Sequence, residues 1–353
     1  MTGTPADFRA PAPGVVGRRR ALALGAAALT TAGCSRQPRK PSALEPITIV
    51  STAGAFAATV QQLMKDRGYL EEMGLKPTFL SVADGTKVIS ALIGGAADIC
   101  TASGFNQVLP SIERGGKLKV LAGSEVLLLH LIYSSRPDIK TLKDLEGRSI
   151  GTGQIGALLH AIVVALLRKN NVDVSKVKFL NVGSSTDVFR AVVAGTVDAG
   201  PSEVDYLEQA AKYKVHGVAG GNFWEGLSEF TNQASYASER AIKERRDAIV
   251  RTLAAYAKLY RFISSPESRD AYVSARKTAL SKDEPQEALA QWNFFQQHAS
   301  FAVNLLLSEE RVRYMQDLNM SLGVQKKLLP YDQVTDMSLA REALKLLGPG
   351  APV

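Results

Sequence analysis

Residues 86–99, TKVISALIGGAADI, return one hundred positions later as residues 186–199, TDVFRAVVAGTVDA. Thr86, Val88, Ala91, Gly95 and Asp98 are matched by Thr186, Val188, Ala191, Gly195 and Asp198, and Leu92 and Ala97 by Val192 and Val197. Chance supplies one or two such matches but not the whole spacing. Val88, Ala91 and Leu92 stand at i, i+3 and i+4, one face of a helix, as do Val188, Ala191 and Val192. Gly94-Gly95 and Gly195 then stop each helix, because glycine takes the left-handed conformation at a helix end without penalty. Asp98 and Asp198 open a short apolar strand. Each copy predicts a helix, a tight turn and a strand, so the chain contains two similar halves.

A second element precedes each copy. Residues 47–50 read as a β-branched strand, 51–54 as a small-residue turn, and 55–67 as a helix stopped by Gly68. In the other half the strand is 148–150, the turn 151–156 and the helix 157–169. Strands near 77–82 and 176–182 follow. Alternating strands and helices imply parallel sheets with helices on their faces. After a strand at 215–219 the chain returns through 230–238. Helices are then expected at 239–264, 266–280, 285–300, 308–320 and 334–347, with Ser281/Glu284 and Ser308/Glu309/Glu310 as start signals. The 353 residues suffice for two domains.

In open α/β sheets a ligand sits beyond the carboxyl ends of the strands, where turns lead into helix N-termini. Four small polar turns occupy such points: residues 51–54, 101–104, 152–155 and 183–186. Hydroxyls and free N–H groups at helix starts suit an anion or a polar head group. Any one such turn is ordinary capping; four at equivalent points in two halves argue for a cleft.

The small-residue turn after the first strand, ALIGGAADICTASG, LKDLEGRSIGTG and AVVAGTVDAGPSEVDY together resemble the substrate-binding proteins of the nitrate, sulfonate, taurine and thiamine-pyrimidine importers, over residues 47–265. The resemblance implies a type II periplasmic-binding-protein-like clam-shell. Its lobe one would be 46–130 plus 236–353 and its lobe two 136–228, with hinges near 130–136 and 228–236. It implies a monomer that catalyses nothing, needs no cofactor, and delivers a small molecule to an ABC permease. Carried over by position, it gives Ser51, Thr52, Phe56, Thr101, Ser103, Asn106, Gly153, Gln154, Ile155, Ser184, Ser185, Thr186 and Glu203 as ligand contacts. A sulfonate- or nitrate-like anion is the first expectation. A pyrimidine or other heteroaromatic is the alternative, since the contacts lack Arg and Lys but include Phe56, Gln154 and Asn106. The family often has an aromatic near Ala199–Gly200, and this chain does not.

The N-terminus is of a different kind. Arg18-Arg19-Arg20, an apolar run at 21–32 and Gly33-Cys34 follow the order of an export signal, here residues 1–33. The paired arginines resemble a twin-arginine signal, and Thr31-Ala32-Gly33-Cys34 a lipoprotein box that would acylate Cys34. Residues 34–45, with Pro38 and Pro41, read as a tether, so the expected location is the periplasm or cell envelope. Cys100 is then an unpaired structural thiol. The formal charge of +8 falls to +5 without the signal, and no basic stripe invites nucleic acid.

Two enzyme readings compete. Gly151-Thr152-Gly153-Gln154-Ile155-Gly156 has the spacing of a dinucleotide turn, so an exported NAD(P)-dependent oxidoreductase is an alternative. The acid expected at the end of the next strand is missing, where Val182-Gly183-Ser184 stands. A pyrimidine synthase of thiamine biosynthesis shares the resemblance but relies on a cysteine-rich motif. His130, His160, His216 and His298 are scattered and set up no metal site. His160, one turn into its helix, is the one within reach of a cleft.

Overall fold

The computed structural model describes residues 43–281 and 285–348. The expected export signal, Cys34 and the start of the expected tether lie outside them, as does Glu284. Ten strands are present: β1 (Glu45–Thr52), β2 (Leu75–Val82), β3 (Ile99–Ser103), β4 (Leu118–Gly123), β5 (His130–Ser134), β6 (Ser149–Thr152), β7 (Lys178–Asn181), β8 (Ala199–Glu203), β9 (His216–Asn222) and β10 (Ala234–Ser238). They form two five-stranded sheets, ordered β2-β1-β3-β10-β4 and β7-β6-β8-β5-β9. The fold is α/β with two parallel-rich lobes.

The two orders are the same order. The strands β1 and β3 that flank the first repeat pair in parallel, as β6 and β8 do around the second. Neither sheet is wholly parallel, however. Strands β10 and β5, each the fourth of five, run antiparallel to both neighbours. Each is the first strand after the chain crosses from one sheet to the other. The crossings are made at 124–129 and 223–233, so much of the stretch 130–136 is β5 itself.

The duplicated aspartates have a structural reason. Asp98 donates its N–H to the carbonyl of Thr48 and accepts the N–H of Thr48 on Oδ2, 2.8 Å away. Asp198 repeats this with Ser149, accepting from its N–H at 2.9 Å and its hydroxyl at 2.7 Å. Each carboxylate satisfies a backbone donor of the neighbouring strand, Thr48 within β1 and Ser149 at the start of β6. Gly95 and Gly195 have φ of +79° and +70°, the left-handed geometry that ends each repeat helix.

Both faces of the first sheet are covered. Ile47 and Ile49 of β1 join Val60, Leu63 and Met64 of the helix Ala55–Arg67 in one core. Val50 and Cys100 join Val88 and Leu92 of the helix Gly85–Gly94 in the other. Burial on both faces is what strands without polar alternation require. Desolvation pushes the Cys100 thiol up to about 12, which leaves it unreactive.

The C-terminal helices are Glu239–Ile263, Arg269–Ala279, Pro285–Gln297, Glu309–Ser321 and Ser338–Leu347, close to the expected spans. Helix Arg269–Ala279 packs on Ala55–Arg67, while Pro285–Gln297 packs on the turn Val204–Tyr206 after β8. This pair of helices thus touches elements of both sheets.

Candidate functional site

The repeat organises a cavity of about 700 Å³ between the two sheets. Ala53–Gly54 line it after β1, and Gly153–Gln154 line it after β6, one hundred residues on. The starts of the repeat helices meet it at Asp84–Gly85 and, again one hundred residues on, at Ser184–Ser185. Asp84 and Ser184 cap those helices by accepting the N–H of Lys87 and Asp187. Equivalent turns therefore face one another across the cavity.

Two further cavities adjoin it and obey the same symmetry. In one, of about 840 Å³, Phe189 and Arg190 face Gly54 and Ala55. In the other, of about 820 Å³, Ile89 and Ser90 face Ile155 and Gly156. Arg276 and Leu280 close in on the first, and Val324, Lys326 and Lys327 on the second.

Of the thirteen contacts expected from sequence, Thr52, Phe56, Ser103, Asn106, Gly153, Gln154, Ser184, Ser185, Thr186 and Glu203 line the central cavity. The structure does not bring the other three there. Ser51 is buried on the far side of β1, and its hydroxyl accepts from Gln61 Nε2 at 2.8 Å. Thr101 lies two residues deeper in β3, where its carbonyl accepts from Ser124 and Tyr260. Ile155 is 80% exposed and turns toward the adjoining cavity.

The glycines of residues 151–156 have reasons of their own. A Cβ on Gly151 would lie 3.1 Å from Val182 and Val197, so that glycine lets β6 approach its neighbours. Gly156 has φ of +83°, and its N–H donates to His160 Nδ1 at 3.1 Å. His160 thus braces the turn, packed edge-on against Phe179, and does not line the cavity.

Sequence reasoning missed the deepest polar groups, Glu125, His130 and Asn232. They lie on or beside the two crossovers, where no periodicity or capping pattern marks a residue. Asn232 Nδ2 donates to Glu125 Oε2 at 2.6 Å. Burial, reinforced by nearby Glu203 and Asp205, holds the Glu125 carboxyl well above the usual carboxylate range despite that bond. Burial also raises Glu203, whose Oε1 accepts from Ser185 Oγ at 2.7 Å. It lowers His130 to about 4. His130 Nε2 and Glu203 Oε1 are 3.8 Å apart, and with its pKa lowered to about 4 the imidazole is uncharged near neutral pH, so the two form no ion pair there.

That assignment has a measurable consequence. The unfolded state protonates His130 below about 6.5 while the folded state resists down to about 4. Stability therefore falls as pH drops through that window, at up to about 1.4 kcal/mol per unit. The raised carboxyls work in the opposite sense, so the test is a difference. Between pH 7 and pH 4.5, urea unfolding of His130→Gln should gain about 2 kcal/mol relative to the parent. A pH-independent difference would mean that folding leaves the protonation of His130 unchanged and would overturn the assignment.

Two α/β lobes with a common strand order, crossed twice by the chain and enclosing a cavity between duplicated turns, define the periplasmic-binding-protein-like class of fold. The chain belongs to the NMT1/THI5-like family, whose profile matches residues 59–268. Its structure is similar to the periplasmic aliphatic sulphonate-binding protein SsuA of Escherichia coli, with a TM-score of 0.67 at 16% identity over 83% of this chain and 92% of that one. It is similar to the periplasmic nitrate-binding protein NrtA of Synechocystis PCC 6803, with a TM-score of 0.69 at 10% identity over 86% and 89%. The desulfurization enzyme DszB has the same fold, at a TM-score of 0.60 and 15% identity over 86% of this chain and 99% of that one. No curated protein sequence matches the chain.

Proposed function

We propose that this protein is the extracytoplasmic solute-binding component of an ABC importer, closing lobes of 46–130 plus 236–353 and 136–228 on a small molecule. The observation that carries the reading is the central cavity: duplicated turns enclose it from both lobes, and buried polar groups at its floor lack partners. The family and the fold of the sulfonate- and nitrate-binding neighbours support it. The described lining of the cavity includes four carboxyl side chains, Asp84, Glu125, Asp187 and Glu203, and neither Lys nor Arg. That charge balance opposes the sulfonate- or nitrate-like anion first expected. It favours a neutral or basic polar ligand, with a pyrimidine or similar heteroaromatic the better fit beside Phe56, Gln154 and Asn106.

The test is a thermal-shift panel of sulfonates, nitrate, pyrimidines and NAD(P), with the substrates left unconsumed as a check on catalysis. A true ligand at one hundred times its Kd adds about 2.7 kcal/mol of stability, a shift of several degrees. Stabilisation by one solute class without turnover supports the receptor; stabilisation by NAD(P) alone, or turnover, overturns it.

A further inference from the structure

The polar atoms at the cavity floor say more than that something binds. Glu125 Oε1, His130 Nδ1 and Asn232 Oδ1 are buried, line the cavity and have no hydrogen-bond partner. A buried polar group left unpaired costs about 1–3 kcal/mol, so three on one cavity are a signature of groups that a ligand completes. Their chemistry is constrained. Because Asn232 spends its Nδ2 on Glu125 Oε2, its free atom is the carbonyl oxygen, an acceptor. The free Oε1 belongs to the same hydrogen-bonded pair. Sulfonate or nitrate oxygens brought there would meet the Asn232 carbonyl acceptor, and a like charge whenever the Glu125 carboxyl is ionised.

The pair also joins the two crossovers. Ser124 N–H donates to the carbonyl of Gln233, and Gln233 N–H to that of Glu125, so the crossovers form a short ribbon. Arg311 Nη1 donates to Val126 and Phe230 carbonyls, at 3.2 Å each, one on either crossover. A group held by Glu125 and Asn232 thus rests on the segments through which the lobes are linked.

We propose that Glu125 and Asn232 together receive an N–H-bearing amino or amidine group of the ligand, and so set the specificity of the cavity for amino-substituted or cationic solutes over anions. This rests on the solute-binding reading above. A cationic group taking its place beside Oε1 displaces the carboxyl proton to solvent. The other titratable groups around that carboxyl are Glu203, His130, Asp205, Tyr260 and Tyr272.

The experiment is calorimetric titration with benzamidine, 4-aminopyrimidine, pyrimidine and benzenesulfonate, in two buffers of different ionisation enthalpy. The amino-bearing probes should bind more tightly than pyrimidine or benzenesulfonate, and benzamidine should release close to one proton. Glu125→Gln, which keeps the shape and can still accept from Asn232, should weaken benzamidine about 30-fold or more and abolish the proton release. Asn232→Ala should weaken both amino probes while its unfolding curve reports that the fold persists. Benzenesulfonate binding that is indifferent to Glu125→Gln would overturn the proposal and leave the solute-binding reading standing. Failure of all four probes would overturn the proposal too, and the wider solute panel would then decide the parent reading by itself.

Discussion

Replacing Arg276 with methionine is expected to cost about 3–5 kcal/mol, one of the two largest losses for any single substitution considered in this chain. The side chain is 1% exposed, on the helix Arg269–Ala279. Its Nη2 lies 2.6 Å from Asp205 Oδ2, and its Nη1 donates to Gln291 Oε1 at 2.8 Å. The Glu287 carboxylate stands 3.9 Å away, and Tyr272 donates to the same Gln291 oxygen. Asp205 belongs to the turn after β8, so the pair fastens the C-terminal helices to the second sheet. Methionine fills much of the space but takes from Asp205, which is 2% exposed, the guanidinium 2.6 Å away. The loss comes from removing the counter-charge of a buried carboxylate, so Arg276→Met/Asp205→Leu should recover most of it. Urea unfolding of the two variants checks this. A single substitution costing under about 1 kcal/mol would show that Asp205 takes up a proton or rearranges at little cost.

Gly200→Ala should cost about 2–3 kcal/mol, although it adds one methyl group. Gly200 is buried in β8, opposite Tyr133 of β5. A Cβ there would lie 2.4 Å from Val188 Cγ1 and 3.0 Å from the Gly151 carbonyl oxygen. The valine is held by the repeat helix and the carbonyl by β6, so neither yields freely. Trimming the obstacle should relieve the strain. The double variant Gly200→Ala/Val188→Ala should be at least about 1 kcal/mol more stable than the sum of its singles implies. Strict additivity would mean that the backbone shifts instead. The same crowding accounts for the missing aromatic near residues 199–200: position 200 has no room for a ring.

The repeat made much of this legible. Apolar spacing in residues 86–99 and 186–199, with glycine behind it, located the helices, their ends and the turns that face the cavity. Capping and periodicity likewise placed the long C-terminal helices. What stayed hidden was decided by pairing across the chain. Strands β5 and β10 carry the same apolar residues whichever way they run, so their antiparallel direction left no mark. Asp98 and Asp198 announced a strand but not the backbone donors they satisfy. Glu125 and Asn232, 107 residues apart, meet only because two crossovers lie side by side.

The position of β10 also bears on the order in which the chain gains structure. Every strand of the second sheet lies within residues 130–222, a continuous stretch that can complete its hydrogen bonding alone. The first sheet cannot, because β10 wedges between β3 and β4 and begins 111 residues after β4 ends. Until that strand arrives, β3 and β4 have no partner in common, and the loop to be closed is long. Contacts of large sequence separation form slowly, since chain entropy is lost before they repay it. Kinetically the molecule is two problems of unequal difficulty: an early, self-contained half, and a half whose fourth rung is inserted last.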